Sequence, residues 1–171
     1  MTAGHDGGMD DLTPLLPNVV GTAIGSQTAP HSAEDIEAIE ADVAEALDAP
    51  EPIALPPVLV ELLTAGVEIL TLEPGKFRAI GSFIGEELGL LGRDTVAYLD
   101  DYEFAEYLPG AVPIALDGGG GFFCLDVREV LDGSAENNGG APIVWTHAGN
   151  LGWEPDACYP VAADLATLLL A

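Results

Sequence analysis

The stretch Val112-Pro113-Ile114-Ala115-Leu116-Asp117-Gly118-Gly119-Gly120-Gly121-Phe122-Phe123-Cys124-Leu125-Asp126-Val127 constrains the fold of this chain more than any other. Two apolar runs of strand length, rich in β-branched or aromatic residues, flank one acid and four glycines. The pattern predicts a strand, a tight reversal and a returning strand. Such a reversal needs positive φ or a close backbone approach, which only a residue without Cβ accepts cheaply. The apolar flanks put this hairpin at the centre of a sheet, with Asp117 as a turn cap.

The same glycines do not read as a phosphate cradle. No Lys-Ser/Thr follows them, the G-x-G-x-x-G spacing is incomplete, and a strand follows where a helix N-terminus would be needed. Asp117 and Asp126 flank the turn, but no loop supplies the alternating oxygen ligands of a calcium site. No metal and no cofactor are expected.

Residues 1–31 mix Gly, Asp, Thr, Pro and Ser with scattered apolar residues and hold no period of 3.6 or 2, which predicts a mostly disordered leader ahead of a domain at 32–171. Its patch from Leu15 to Ile24 is apolar enough to dock on the domain or on a partner. Ser32-Ala33-Glu34-Asp35 opens a helix, with a capping hydroxyl and acids at the positive end of the dipole. Ile36, Ile39, Val43 and Leu47 then form one apolar stripe, until Ala49-Pro50-Glu51-Pro52 ends it. Pro56 and Pro57 suit the first turn of a second helix that Gly66 stops. Val67 to Leu72 is a strand by composition, Glu73-Pro74-Gly75-Lys76 a turn, and Phe77 to Ile80 a return strand. Ser82 to Leu91 reads as a short helix despite Gly85 and Gly89. Asp94-Thr95 caps a further helical segment. Ile143 to His147 alternates as a strand, and Tyr159-Pro160-Val161 leads into a closing helix with Leu165, Leu168 and Leu169. Hairpins with helices at both ends predict an α+β fold, an antiparallel β-sheet of about four to six strands flanked by N-terminal and C-terminal helices.

The series Leu108-Pro109, Pro113-Ile114, Asp117 to Gly120 and Leu125-Asp126 resembles the central signature of the SMI1/KNR4 (SUKH) family. Ile36 to Glu40, Leu55-Pro56-Pro57 and Leu62-Leu63 are similar to that family's opening, an amphipathic helix, a Leu-Pro and a second helix. Val58 and Thr64-Ala65-Gly66 stand where the family usually has an aromatic and Asn-Gly. The resemblance implies that Asp117, Gly118, Gly119, Gly120 and Asp126 are structural motif residues. It also implies a protein-binding function without catalysis, as an immunity protein that neutralises a bacterial toxin, or alternatively as a scaffold or regulatory adaptor in a housekeeping pathway.

Charge narrows the partner. The 171 residues carry 29 acids against four Lys and Arg, a formal net charge of −25. Such a surface repels nucleic acid and anionic lipid, because phosphate binding depends on cationic contacts. A basic protein, such as a nuclease-type toxin domain, is the complementary partner, since a one-signed field steers an oppositely charged protein to it. Adaptation to high salt or plain solubility explains the same number, and both readings stay open. With no apolar run near the ~20 residues of a membrane span and no positive n-region, the chain is expected in the cytoplasm.

The best local candidate for a partner surface is Asp100-Asp101-Tyr102-Glu103-Phe104-Ala105-Glu106-Tyr107, four acids among three aromatics. Asp100, Asp101, Tyr102, Glu103 and Glu106 are the expected contacts, with Glu86 and Glu87 next, because exposed Tyr supplies contact area at low entropic cost. The competing reading is a solvated helix whose aromatics are core. Cys124 and Cys158 read as small buried hydrophobes rather than a metal or disulfide pair. His147 reads as a packed strand histidine. The enzymatic alternative would draw on His147, Trp153 and Asp156, but no nucleophile or zinc signature supports it.

Overall fold

A computed structural model describes residues 19–24, 30–73 and 87–170. Its centre is one fully antiparallel seven-stranded sheet whose strand order follows the chain. The strands are β1 (Val19–Ile24), β2 (Val67–Leu72), β3 (Glu87–Leu90), β4 (Ala111–Leu116), β5 (Gly121–Asp126), β6 (Ile143–His147) and β7 (Cys158–Ala162). The helices are α1 (Ala33–Ala46), α2 (Pro57–Thr64), α3 (Thr95–Asp101), α4 (Phe104–Tyr107), α5 (Arg128–Leu131) and α6 (Leu165–Leu170). This is the α+β architecture expected, with six strands, β2 to β7, in the domain. β1, from within the leader segment, pairs with β2 as a seventh.

The predicted hairpin is β4–β5, and it occupies the middle of the sheet. Ala111–Ala115 and Gly121–Leu125 are buried without interruption, so the hairpin is covered on both faces and alternation of polar and apolar residues is lost. Pro113 lies inside β4, where a missing N–H breaks a ladder bond. The break is absorbed by a register shift between Pro113 and Ala115. The Pro113 carbonyl accepts the buried Thr95 hydroxyl at 3.0 Å, which ties the start of α3 to the central strand.

One expectation is corrected. The short helix over Ser82 to Leu91 is replaced, from Glu87 on, by strand β3, because the chain there is wedged between β2 and β4 and its backbone groups enter both ladders. Gly89, which weakened the helix, pairs with Ile69 on one side and Leu116 on the other. Tyr159-Pro160-Val161 lies in β7, an edge strand where Pro160 is tolerated, and leads as expected into the closing helix α6 with Leu165, Leu168 and Leu169 buried. The predicted return strand Phe77 to Ile80 lies outside the described residues.

α1 begins with a complete capping box: Ser32 Oγ accepts the Asp35 N–H at 3.1 Å and Asp35 Oδ2 accepts the Ser32 N–H at 2.8 Å. Arg93 donates to the same carboxylate at 2.7 Å, and His31 Nε2 accepts the Arg93 backbone N–H at 3.2 Å. The Ser32 backbone bond, with Arg93 and the Ser32 hydroxyl adding to it, holds the Asp35 carboxyl at about 2, against an ordinary 3.8. Desolvation, then the Arg93 charge, lowers His31 from 6.5. Both groups bind a proton more weakly when folded, so both contributions to stability are lost as pH falls. The stability gap between the native chain and Asp35→Asn is therefore expected to be full above pH 3.8 and to close as pH falls toward about 2. Urea midpoints across that range measure it, and a gap independent of pH would contradict the assignment. The His31 contribution is lost earlier, below 6.5.

Candidate partner-binding surface

Two polar clusters pin the central hairpin at its two ends. At the glycine turn the buried Asp117 carboxylate accepts three N–H groups: Gly119 and Gly121 to Oδ1, each at 2.8 Å, and the Trp145 indole to Oδ2 at 2.9 Å. The glycines serve different ends. Gly118 and Gly120 have φ of 81° and 91°, which turn the chain, whereas a Cβ on Gly121 would run into Trp145 Nε1 and Asp117 Oδ2. At the base, Asp126 forms a two-pronged ion pair with Arg128 at 3.0 and 2.9 Å. The Arg128 guanidinium lies 3.6 Å over the Trp153 ring, and the Trp153 indole donates to the Pro109 carbonyl at 2.8 Å. These bonds fasten the loop 148–157 back across the domain, since Ala148 N–H bonds Gly120 at the turn end.

Against this frame sits the acidic-aromatic ledge. α3 ends at Asp101, Tyr102 caps it, and Glu103 adopts a left-handed conformation with φ 53° and ψ 44° that starts α4 in a new direction. The break divides the acidic-aromatic run between two short helices. Phe104 is fully buried, while Tyr102 and Tyr107 are 39% and 50% exposed. Thus the aromatics divide between the two readings, with one in the core and two at the surface. Tyr102 stacks on Tyr98 and meets Phe122 edge-on at 4.9 Å, so it is exposed yet held by the central strand. Asp100, Asp101, Glu103 and Glu106 are all exposed around it.

Glu87 is exposed at the start of β3, with Oε2 at 3.9 Å from where a Cβ on Gly118 would lie. It therefore stands at the glycine turn. Glu86 lies outside the described residues. Both cations of the described residues, Arg93 and Arg128, form ion pairs with acids.

His147 corrects the packed-histidine expectation. It lies at the end of β6, paired with Gly121, and is exposed because the strand ends there. Its Nδ1 accepts the Gly149 N–H at 3.0 Å. The enzymatic trio does not assemble: Trp153 is committed to Arg128 and Pro109, away from the cavity that His147 and Asp156 line. Burial pushes Cys124 well up and Cys158 up to about 11, so neither is a thiolate at neutral pH. Among the described residues no group of three or more His, Cys, Asp or Glu is placed to hold a metal, and no helix is long and apolar enough to cross a membrane.

One cavity opens at the ledge and a second shares Asn150 with it. The first, of about 310 Å³, lies between Tyr102 and Tyr107 on one side and Gly149, Asn150 and Leu151 on the other. The second, of about 320 Å³, is lined by Gly119, Trp145, His147, Asn150, Asp156 and Tyr159. Asn150 lines both. A third cavity, of about 360 Å³, is bounded by residues of mixed charge, among them His31, Arg93, Glu68 and Asp94, and suits a partner of one sign less well. Sequence reasoning assigned Asn150 and Tyr159 no role, because the side chains around them come from segments far apart in the chain.

The profile of the SMI1 / KNR4 family (SUKH-1) matches residues 30–171, the part that contains the hairpin, both polar clusters and the ledge. The chain belongs to the SMI1 / KNR4 family. A search of curated proteins finds no match. Family membership supports a protein-binding, immunity-like domain, in a family that is generally non-enzymatic. β1 lies outside the matched residues.

Proposed function

We propose that the chain is an immunity protein that binds and neutralises a basic, nuclease-type bacterial toxin through the ledge formed by Asp100, Asp101, Tyr102, Glu103 and Glu106. The observation that carries this reading is the ledge's composition: two half-exposed tyrosines set among four exposed acids, on a rigid support. Tyrosine held in place contributes contact area with little ordering cost on binding. The acids supply long-range attraction to a cationic surface, which raises the association rate. A toxin that acts on nucleic acid needs such a surface for its substrate, and covering it blocks the substrate.

Glu103 supports the same reading. Its left-handed backbone costs roughly 1–2 kcal/mol for a residue with a Cβ, a cost that glycine would avoid. An acid in place of glycine there adds its charge to the ledge, although Asp48, outside the ledge, likewise has a positive φ. The test is co-purification from the native host followed by identification of the bound protein. A basic protein is expected, toxic when expressed alone and harmless when this chain is co-expressed. A non-toxic partner from a housekeeping complex would replace the immunity reading with that of an adaptor.

A further inference from the structure

We infer that the cavity between Trp145, His147, Asp156 and Tyr159 is an anchor pocket for an arginine side chain of the protein partner; this rests on the protein-binding reading and assigns a second, separate part of the surface. The Trp145 and Tyr159 rings lie 5.9 Å apart, tilted by 38°, and His147 adds a third ring 6.3 Å from Trp145. Aromatic walls around a cavity attract a cation through their electron-rich faces. Asp156 is the acid of the lining and supplies the countercharge, while no Lys or Arg lines the cavity. His147 is oriented by the Gly149 N–H, which its Nδ1 accepts at 3.0 Å. The volume, about 320 Å³, has room for one long side chain and excludes a folded element.

Arginine fits better than lysine because its flat guanidinium stacks on rings and pairs with a carboxylate at once. The fold contains its own example of that chemistry: Arg128 lies flat over Trp153 while Asp126 holds it with two bonds. Position supports the same occupant. Asn150 joins this cavity to the cleft under Tyr102 and Tyr107, so a basic loop crossing the ledge reaches it directly. The indole N–H of Trp145 is spent on Asp117, which fixes the ring as a wall.

The full chain is titrated by two-dimensional NMR at about 150 mM salt, where the Debye length of ~8 Å suppresses diffuse ion binding. The probes are three capped tripeptides, Gly-X-Gly with X arginine, lysine or citrulline. The arginine peptide is expected to shift the Trp145 indole and the Gly119 and Gly149 amide signals, and the citrulline peptide to leave them in place. Asp156→Asn, an exposed change that should not affect folding, is expected to weaken arginine binding about three- to tenfold. Equal response to lysine and arginine would overturn the guanidinium assignment. Shifts spread over the acidic surface and unchanged in Asp156→Asn, or no shift, would overturn the pocket. The outcome is independent of the immunity reading: a localised arginine site with no toxin partner defeats that reading alone, and a toxin captured without an arginine site defeats the pocket alone.

Discussion

Asp117→Asn is expected to destabilise the domain by about 2–4 kcal/mol although the two side chains have the same shape. The carboxylate is buried and serves only as an acceptor, for two glycine N–H groups and the Trp145 indole. An amide can keep its oxygen toward the glycines only by turning its NH₂ toward the indole N–H, which sets donor against donor. The reverse orientation places NH₂ against two backbone donors. Either way at least one buried group loses its partner, and a bond to a charged acceptor is among the stronger ones. For a domain of this size such a loss lowers the melting temperature by roughly 4–16 °C. Gly121→Ala is expected to be at least as damaging, because its Cβ overlaps the same two side chains. Urea denaturation of both variants tests this. A change under about 1 kcal/mol in either would mean that the turn relaxes around the lost contacts.

The second large effect concerns association. Reversing Asp100, Asp101, Glu103 and Glu106 to lysine is expected to slow binding of the basic partner by roughly 10 to 1000-fold at low salt, with the difference shrinking as salt rises. The fitting control reverses Glu34, Glu37, Asp42 and Glu45, four exposed acids on α1. The two variants carry the same net charge, so only position differs. Stopped-flow or surface-binding rates across a salt series distinguish them. If the α1 variant slows association as much as the ledge variant, the overall charge steers and the ledge has no special part; if neither slows it, the acidity concerns solubility or salt.

Both results depend on features that differ in how visible they are in the chain. Asp117 stands next to the glycines, and its place before a tight turn marks it as a cap. Its bond to Trp145 spans 28 positions and leaves no local trace. Trp153 is 44 positions from Pro109 and looks like an isolated loop aromatic until the fold places it under Arg128. Tyr102 and Phe104 sit two residues apart in one acidic run, yet one is exposed and the other fully buried. That division comes from the left-handed turn at Glu103, which no periodicity announces.

Determined by sequence alone were the elements whose causes are local: α1 from its apolar spacing and Ser32, α2 from Pro57 at its start, β4–β5 from two apolar runs around glycines, and the α+β class from their order. Decided by tertiary structure were β3 and β7, the exposure of His147, and the meeting of Trp145, Asp156 and Tyr159 around one cavity. A helix satisfies its backbone within itself, so its signal is contained in its own residues. A strand is satisfied by a neighbour that may lie anywhere in the chain, and Glu87–Leu90 becomes one because β2 and β4 stand on either side of it.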